Sequence, residues 1–189
     1  MTPAATGAEA EILLRDAGAL LEGHFQLASG KHSSIYIEKF RLLERPTQTE
    51  ALCRMIADWA RGLSAEVVAG PTTGGVIISY ETARLLGLRG IFAEKRGEGR
   101  SFQRGFTIRR GERVLVVDDV LTTGGSVREV LDAVRREGGD VAGVAVLIDR
   151  TAGSVDFGAP FFACLTVDVP ACEPDGCPEC ERGVPLKIT

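Results

Sequence analysis

Nowhere does this chain approach the roughly 18 to 20 consecutive apolar residues that a membrane-spanning helix needs, so no membrane partner is expected. Its first residues, MTPAATGAEAEILL, lack both the basic region and the apolar core of a secretory signal, and the expected compartment is the cytoplasm. A basic excess is missing too. There are 22 Lys and Arg against 26 Asp and Glu, a net charge of −4, which argues against a general nucleic-acid binder. Cysteine is present in an odd number, five, and without a secretory signal this fits reduced thiols better than a disulfide framework. Internal repeats and low-complexity linkers are absent as well.

What is there fits one domain. The 189 residues are 44% hydrophobic and 25% charged, enough for a sizeable core. Ile12, Leu13, Ala17, Leu20 and Leu21 give residues 8–22 a helical pattern, and residues 25–43 read as strands or loops. Pro46 followed by Thr47-Gln48-Thr49-Glu50 spells a capping box for a helix running to about Gly62. The chain then alternates. Strands are expected at Glu66–Ala69, Arg89–Ala93, Phe106–Arg110, Arg113–Val117, Val141–Ile148 and Phe161–Val167, and helices at Val76–Leu86 and Ser126–Glu137. Between them, Glu94–Gly105 is a polar, Gly-rich loop. Apolar strands alternating with helices imply an α/β fold, a central parallel sheet flanked by helices. On this reading residues 46–170 form the core, 1–45 a hood over the site, and 171–189 a Cys-containing tail.

One segment carries chemistry. Val114-Leu115-Val116-Val117 is an apolar strand, Asp118 and Asp119 stand at its C-terminal end, and Val120-Leu121-Thr122-Thr123-Gly124-Gly125-Ser126 turns into a helix. Open α/β sheets bind ligands at that end of their strands. Free N–H groups at the helix start and the hydroxyls of Thr122, Thr123 and Ser126 make a phosphate cradle, which Gly124 and Gly125 let the backbone approach closely. Ser126 with Glu129 spells a second capping box. Carboxylates repel phosphate, so Asp118 and Asp119 need another partner, and two neighbouring sugar hydroxyls would provide it. A sugar diol with a terminal phosphate describes a ribose 5-phosphate. The Gly-Lys-Ser/Thr ending of a Walker loop is missing. Gly70-Pro71-Thr72-Thr73-Gly74-Gly75 also joins a strand to a helix, and is either a plain turn or a second anion nest.

The segment 118–126 resembles the phosphoribosyl-diphosphate motif of the type I phosphoribosyltransferases, and the order of motifs agrees over roughly residues 20–170. The resemblance implies that Asp118 and Asp119 bind ribose hydroxyls and that Val120 to Ser126 hold the 5-phosphate. It makes Thr72, Thr73 and Gly74 a diphosphate loop, although the lysine that relatives often carry there is absent. Glu94–Gly105, with seven Lys or Arg against three Glu between Glu94 and Arg113, resembles the family's mobile lid, with Lys95 and Arg96 favoured as its catalytic cations and Arg100 and Arg104 also possible. In relatives that lid reaches the other subunit's site, which implies a homodimer.

The segment Phe25 to Glu38 resembles the hood of orotate phosphoribosyltransferases. Lys31 stands at the basic position and Tyr36 at an aromatic that lines the base pocket, while Ala28 and Ile37 depart from the pattern. By the same resemblance, Arg150 after a strand contacts the carboxylate of orotate, a match for a planar guanidinium, and Thr122 contacts orotate too. The implied reaction joins orotate to 5-phosphoribosyl 1-diphosphate (PRPP), with Mg2+ bound mainly through the diphosphate. A purine-accepting relative and a PRPP-sensing regulator are the alternatives. No protein-held metal is assigned. His24 and His32 show no ligand partner in the sequence. Cys172, Cys177 and Cys180, with Cys164 as a fourth, have a zinc-like spacing but lack a second CxxC, so a reduced, packed tail is expected. Trp59 is expected in the core.

Overall fold

The computed structural model describes residues 3–169 and 171–189; Met1, Thr2 and Pro170, the last being where the sequence reading ends the core, lie outside them. Helix α1 (Pro3–Asp16) buries Ala10 and Leu14, one turn apart, and is followed by Gly18 at φ 67°. The helix therefore stops before Leu20 and Leu21, which the apolar spacing had assigned to it. They open strand β1 (Leu20–Gln26) and pair with Ile37 and Tyr36 of the antiparallel β2 (His32–Ile37). A short helix α2 (Lys39–Leu43) follows, where the sequence suggested strand or loop.

Helix α3 (Pro46–Ala60) buries Leu52, Cys53, Ile56, Ala57 and Ala60, the stripe of a one-sided helix. Its start is set by Pro46 in the first turn, with Arg45 at the cap position and no capping hydrogen bond, so the Thr47–Glu50 box does not form. Trp59 is partly buried and stacks on Phe162 at 5.4 Å between ring centroids.

Strands β3 (Val67–Pro71), β4 (Arg89–Arg96), β5 (Gly99–Phe102), β6 (Arg113–Leu121), β7 (Asp140–Asp149) and β8 (Phe161–Thr166) form one sheet in the order β5-β4-β3-β6-β7-β8. All neighbours are parallel except β4 and β5. Alternation along the strands splits the core in two. Leu115 and Val117 of β6 join one layer with α1, α3 and α4 (Gly74–Leu86). Val114 and Val116 join the other with α5 (Gly125–Arg136). From β3 the chain crosses through α4 to β4 on one side, and from β6 through α5 to β7 on the other. The crevice between the C-terminal ends of β3 and β6 is thus the point where strand order reverses, the usual binding place in such sheets.

Two expectations fail nearby. Glu94–Gly105 is not a loop but mostly a hairpin of β4 and β5, pinned by the buried Phe102 and Arg100. Phe106–Arg110 is not a strand. The carboxylate of Glu112 accepts the backbone N–H of Arg109 at 2.9 Å, so a side chain takes up the segment's backbone donor in place of a sheet neighbour. Beyond the sheet, α6 (Pro178–Glu181) and β9 (Lys187–Ile188) bring the tail back to the hood, where β9 runs parallel to β1. No helix among the described residues is long and apolar enough to cross a membrane.

Glu112 is buried and binds the guanidinium groups of Arg89 at 2.9 Å and Arg109 at 2.8 Å. Burial pushes its carboxyl up, but the Arg109 N–H and the two arginines outweigh it and hold it below the usual range. Such a carboxylate stabilises the fold at neutral pH and loses that contribution as pH falls through the ordinary range to its own lower value. Glu112→Ala should cost about 2 kcal/mol in urea unfolding at pH 7.5. The loss should shrink on acidification, and substrate affinity should stay unchanged.

Candidate active site

The ends of β3 and β6, together with the hood, enclose a cleft of about 500 Å³. Thr72, Thr73 and Gly74 line it from the β3 loop, and Asp118, Asp119, Val120, Thr122 and Ser126 from the β6 loop. Tyr36 and Lys39 line it from the hood, and Arg150 from the end of β7. The structure thus brings together most of the residues singled out from sequence. The side chain of Leu121 belongs to the core instead, and Thr123, Gly124 and Gly125 carry the backbone into α5.

Both carboxylates are buried. Asp118 Oδ1 accepts the N–H of Asp119 at 2.8 Å, and Asp119 Oδ1 accepts that of Val120 at 2.6 Å. Lys39 Nζ stands 2.9 Å from Asp119 Oδ2. Burial, and next the neighbouring charge of Asp119, push the Asp118 carboxyl up to about 7, against the Asp119 N–H, Lys39 and Arg100, which pull it down. The glycine at 74 has a steric cause, since a Cβ there would lie 1.7 Å from Asp119 Oδ2. The Thr72–Thr73 peptide is cis.

Two helices begin at the cleft without a capping side chain among the described residues, α4 after Thr73 and α5 after Gly124. Gly124 sits at φ 80°, in the left-handed region that suits glycine. Ser126 and Glu129 do not form the expected box, because Glu129 turns to the hairpin. It binds Lys95 Nζ at 2.6 Å and lies 3.3 Å from Arg100 Nε. Apart from Val76, whose N–H donates to the Thr73 carbonyl at 3.2 Å, the first-turn N–H groups of both helices have no capping partner among the described residues, a suitable seat for anions.

Lys31, Lys95 and Arg96 do not line this cleft either. Lys31 lies in the β1–β2 turn and pairs with Glu173 of the tail at 3.0 Å. Lys95 is held by Glu129, and Arg96 is exposed at the hairpin tip. The hairpin cation that reaches the β3 loop is Arg100, whose Nη1 donates to Thr72 Oγ1 at 2.9 Å and to the carbonyl of Ala93. Lys39 was missed altogether; the one sequence signal for it was the lack of a lysine in the 72–74 loop, which left a cation to be supplied from elsewhere. Arg150 is oriented by the chain turn that Asp149 builds, accepting from Thr151 N and Oγ1, both at 2.7 Å. Burial lowers the Arg150 pKa, and its buried Nε finds no hydrogen-bond partner among the described residues.

The fold is that of a type I phosphoribosyltransferase, and the phosphoribosyl transferase domain profile matches residues 44–172. The orotate phosphoribosyltransferase of Pelotomaculum thermopropionicum is 50% identical over 173 residues, 92% of this chain and 91% of that one. That of Heliobacterium modesticaldum is 48% identical over 176 residues, 92% of each chain. The crystal structure of orotate phosphoribosyltransferase from Aeropyrum pernix superposes with a TM-score of 0.66 at 29% identity, over 84% of this chain and 93% of that one. The chain belongs to the orotate phosphoribosyltransferase family.

The raised pKa of Asp118 makes a signed prediction for the substrate-free protein. A carboxyl that is harder to ionise folded than unfolded destabilises the fold as pH rises from its ordinary 3.8 to about 7, and the full penalty persists above that. Asp118→Asn removes the charge but keeps the oxygen that accepts the Asp119 N–H. At pH 8 the variant should melt about 4 °C above the parent, with the gap closing towards pH 4. A gap independent of pH in differential scanning calorimetry would show that burial and Asp119 do not set this titration.

Proposed function

We propose that this protein transfers the phosphoribosyl group of PRPP to orotate, giving orotidine 5-phosphate and diphosphate, with the cleft residues taking the following parts. Asp118 and Asp119 accept hydrogen bonds from the two ribose hydroxyls. Thr122 to Ser126 and the start of α5 hold the 5-phosphate. Thr72, Thr73, Gly74 and the start of α4 hold the diphosphate, and Arg100 and Lys39 add positive charge where the lysine of the loop is missing. Tyr36 lines the base side, and Arg150 receives the orotate carboxylate.

The observation that carries the base assignment is the unpaired Nε of Arg150 in a cleft beside Tyr36. A buried guanidinium donor without an acceptor is unfavourable, and a planar carboxylate satisfies it with two parallel hydrogen bonds. The names of the relatives agree with this base and do not favour the purine or sensor readings. Chemistry then consists of attack by a ring nitrogen of orotate on the anomeric carbon while the bond to diphosphate breaks. The protein's share is to hold the two in line and to stabilise charge on the leaving group.

Mg2+ would be held here mainly by the substrate diphosphate, since the buried carboxylate oxygen at the site, Asp119 Oδ2, is already ion-paired with Lys39 Nζ at 2.9 Å. Carried in on the diphosphate, it would supply neutralising charge to the leaving group. We place the enzyme in the cytosol as a homodimer. Ile77 and Tyr80, exposed one turn apart on α4, and exposed Phe40 on the adjacent α2 offer apolar surface for the second subunit. Lys95 and Arg96, turned away from their own cleft, then serve the cleft of the other subunit.

The test is loss of orotate absorbance in the presence of PRPP and Mg2+, beside parallel assays with adenine, hypoxanthine and uracil. Turnover of another base with none of orotate would overturn the assignment. Arg150→Ala should lower kcat/KM for orotate about 100-fold while moving the KM for PRPP little. For the lid, inactive Lys95→Ala and Asp119→Asn chains should regain activity when unfolded and refolded together. Mixed dimers would then contain one cleft with both residues intact, whereas a lid acting within its own chain predicts no such recovery.

A further inference from the structure

Away from the cleft, the tail meets the hood through a group of ligating side chains that the transferase chemistry does not use. His24 lies in β1 and His32 opens β2. Their rings meet edge to face with centroids 4.7 Å apart, and His24 Nε2 is 2.9 Å from His32 Nδ1. Cys177 caps the start of α6 and Cys180 lies within it, so the C-x-x-C turn presents both sulfurs to the two rings. Cys177 Sγ is 3.4 Å from His24 Nε2. Cys180 Sγ is 3.7 Å from the same nitrogen and 3.4 Å from His32 Nδ1. All four donor atoms fall within 4.8 Å of one another, and all but Cys180 are buried.

These separations can be compared with coordination chemistry. Tetrahedral zinc bonds nitrogen at about 2.0–2.1 Å and sulfur at about 2.3 Å, which places its ligand atoms roughly 3.3–3.8 Å apart. The four separations given above lie within about half an ångström of that range, and the remaining two, from Cys177 Sγ to Cys180 Sγ and to His32 Nδ1, are no longer than 4.8 Å, so closing on the ion needs shifts of about 1 Å at most. The surroundings support it independently. His24 Nδ1 lies 2.8 Å from the carbonyl of Val184, so the ring proton sits on Nδ1 and the Nε2 lone pair faces the thiols. A metal-bound histidine is commonly held by such an outer hydrogen bond. Strand pairing holds the tail on both sides of the turn. His32 and Cys172 exchange two backbone hydrogen bonds of 2.9 Å, and β9 pairs with β1.

We propose that His24 Nε2, His32 Nδ1 and the thiolates of Cys177 and Cys180 form a four-coordinate zinc site that fastens the C-terminal tail to the hood. Four protein ligands leave no open position, so the site is structural, and binding releases the protons of the two thiols. Sulfur and imidazole favour zinc over magnesium, which separates this site from any metal carried in on the diphosphate. The other cysteines lie outside the ligand set. Cys164 Sγ points to the carbonyl of Leu52 in the core, and Cys172 Sγ to the carbonyl of His32. The CxxC half was visible in the sequence; its completion by two histidines about 150 residues earlier was not.

The experiment uses the full chain, expressed in zinc-supplemented medium without a polyhistidine tag and purified under reducing conditions. Elemental analysis should find one zinc per chain. Stripping the folded protein with a chelator should lower Tm by about 5 °C or more, and added zinc should restore it. Cobalt(II) added to stripped protein should give the visible bands of a tetrahedral ion and a charge-transfer band sized for two thiolates. Cys172→Ser should keep the metal, and His32→Ala should lose it. No zinc and no cobalt spectrum in the folded, reduced protein would overturn the proposal, as would a Cys177–Cys180 disulfide found by mass spectrometry in protein that takes up no metal. Loss of zinc from Cys172→Ser would overturn the ligand set.

Discussion

Two carboxylates next to each other at the end of a buried strand repel each other and have lost most of their water. Much of the cleft is arranged around that difficulty. The backbone folds back so that each aspartate accepts the N–H of the next residue. The hood sends Lys39 across to Asp119, and α4 begins with a glycine because no side chain fits against that oxygen. These contacts relieve the strain only in part, since Asp118 remains hard to ionise. A ligand that donates hydroxyl hydrogens to the pair supplies what the protein alone leaves out.

The remaining parts follow from where that pair stands. Because strand order reverses between β3 and β6, both of the loops that follow them open on one crevice, each leading into a helix whose first N–H groups are uncapped. Anions at two separate points, with a sugar between them, are the natural cargo. The hairpin of β4 and β5 stands alongside, its buried Arg100 touching the β3 loop while Glu129 of α5 holds it from the other side. Glu129 joins the hairpin to the same helix whose start faces the cleft, so the two regions are mechanically connected.

The central sheet was legible in the sequence because its strands are continuous apolar runs, and the 118–126 loop because few contexts need two carboxylates before a run of small hydroxyl and glycine residues. What failed depended on partners far away in the chain. Leu20 and Leu21 satisfy a helical spacing, and only pairing with Tyr36 and Ile37 makes them strand. Glycines in 94–105 suggested a loop, yet Phe102 and Arg100 bury a hairpin there. Both capping boxes were spelled correctly and neither formed. In α3 the proline shifted the start, and in α5 a salt bridge to the hairpin took the glutamate. Lys31 left its expected place for a similar reason. A basic residue in a turn is free to follow the nearest acid, and for Lys31 that acid is Glu173, 142 residues further along.

The register of β6 against β7 has a further consequence. Leu121 pairs with Asp149, so Arg150, the residue proposed to face the base, is attached to the strand beside the acidic pair yet belongs to a different loop. On the proposed assignment, groups that hold the sugar and groups that choose the base are neighbours in space but inherited on separate segments of chain. Mutation can therefore revise what is accepted at the end of β7 and in the hood while the sugar-holding loop stays as it was. A lineage built on this scaffold is free to diversify its acceptors without first surrendering its donor.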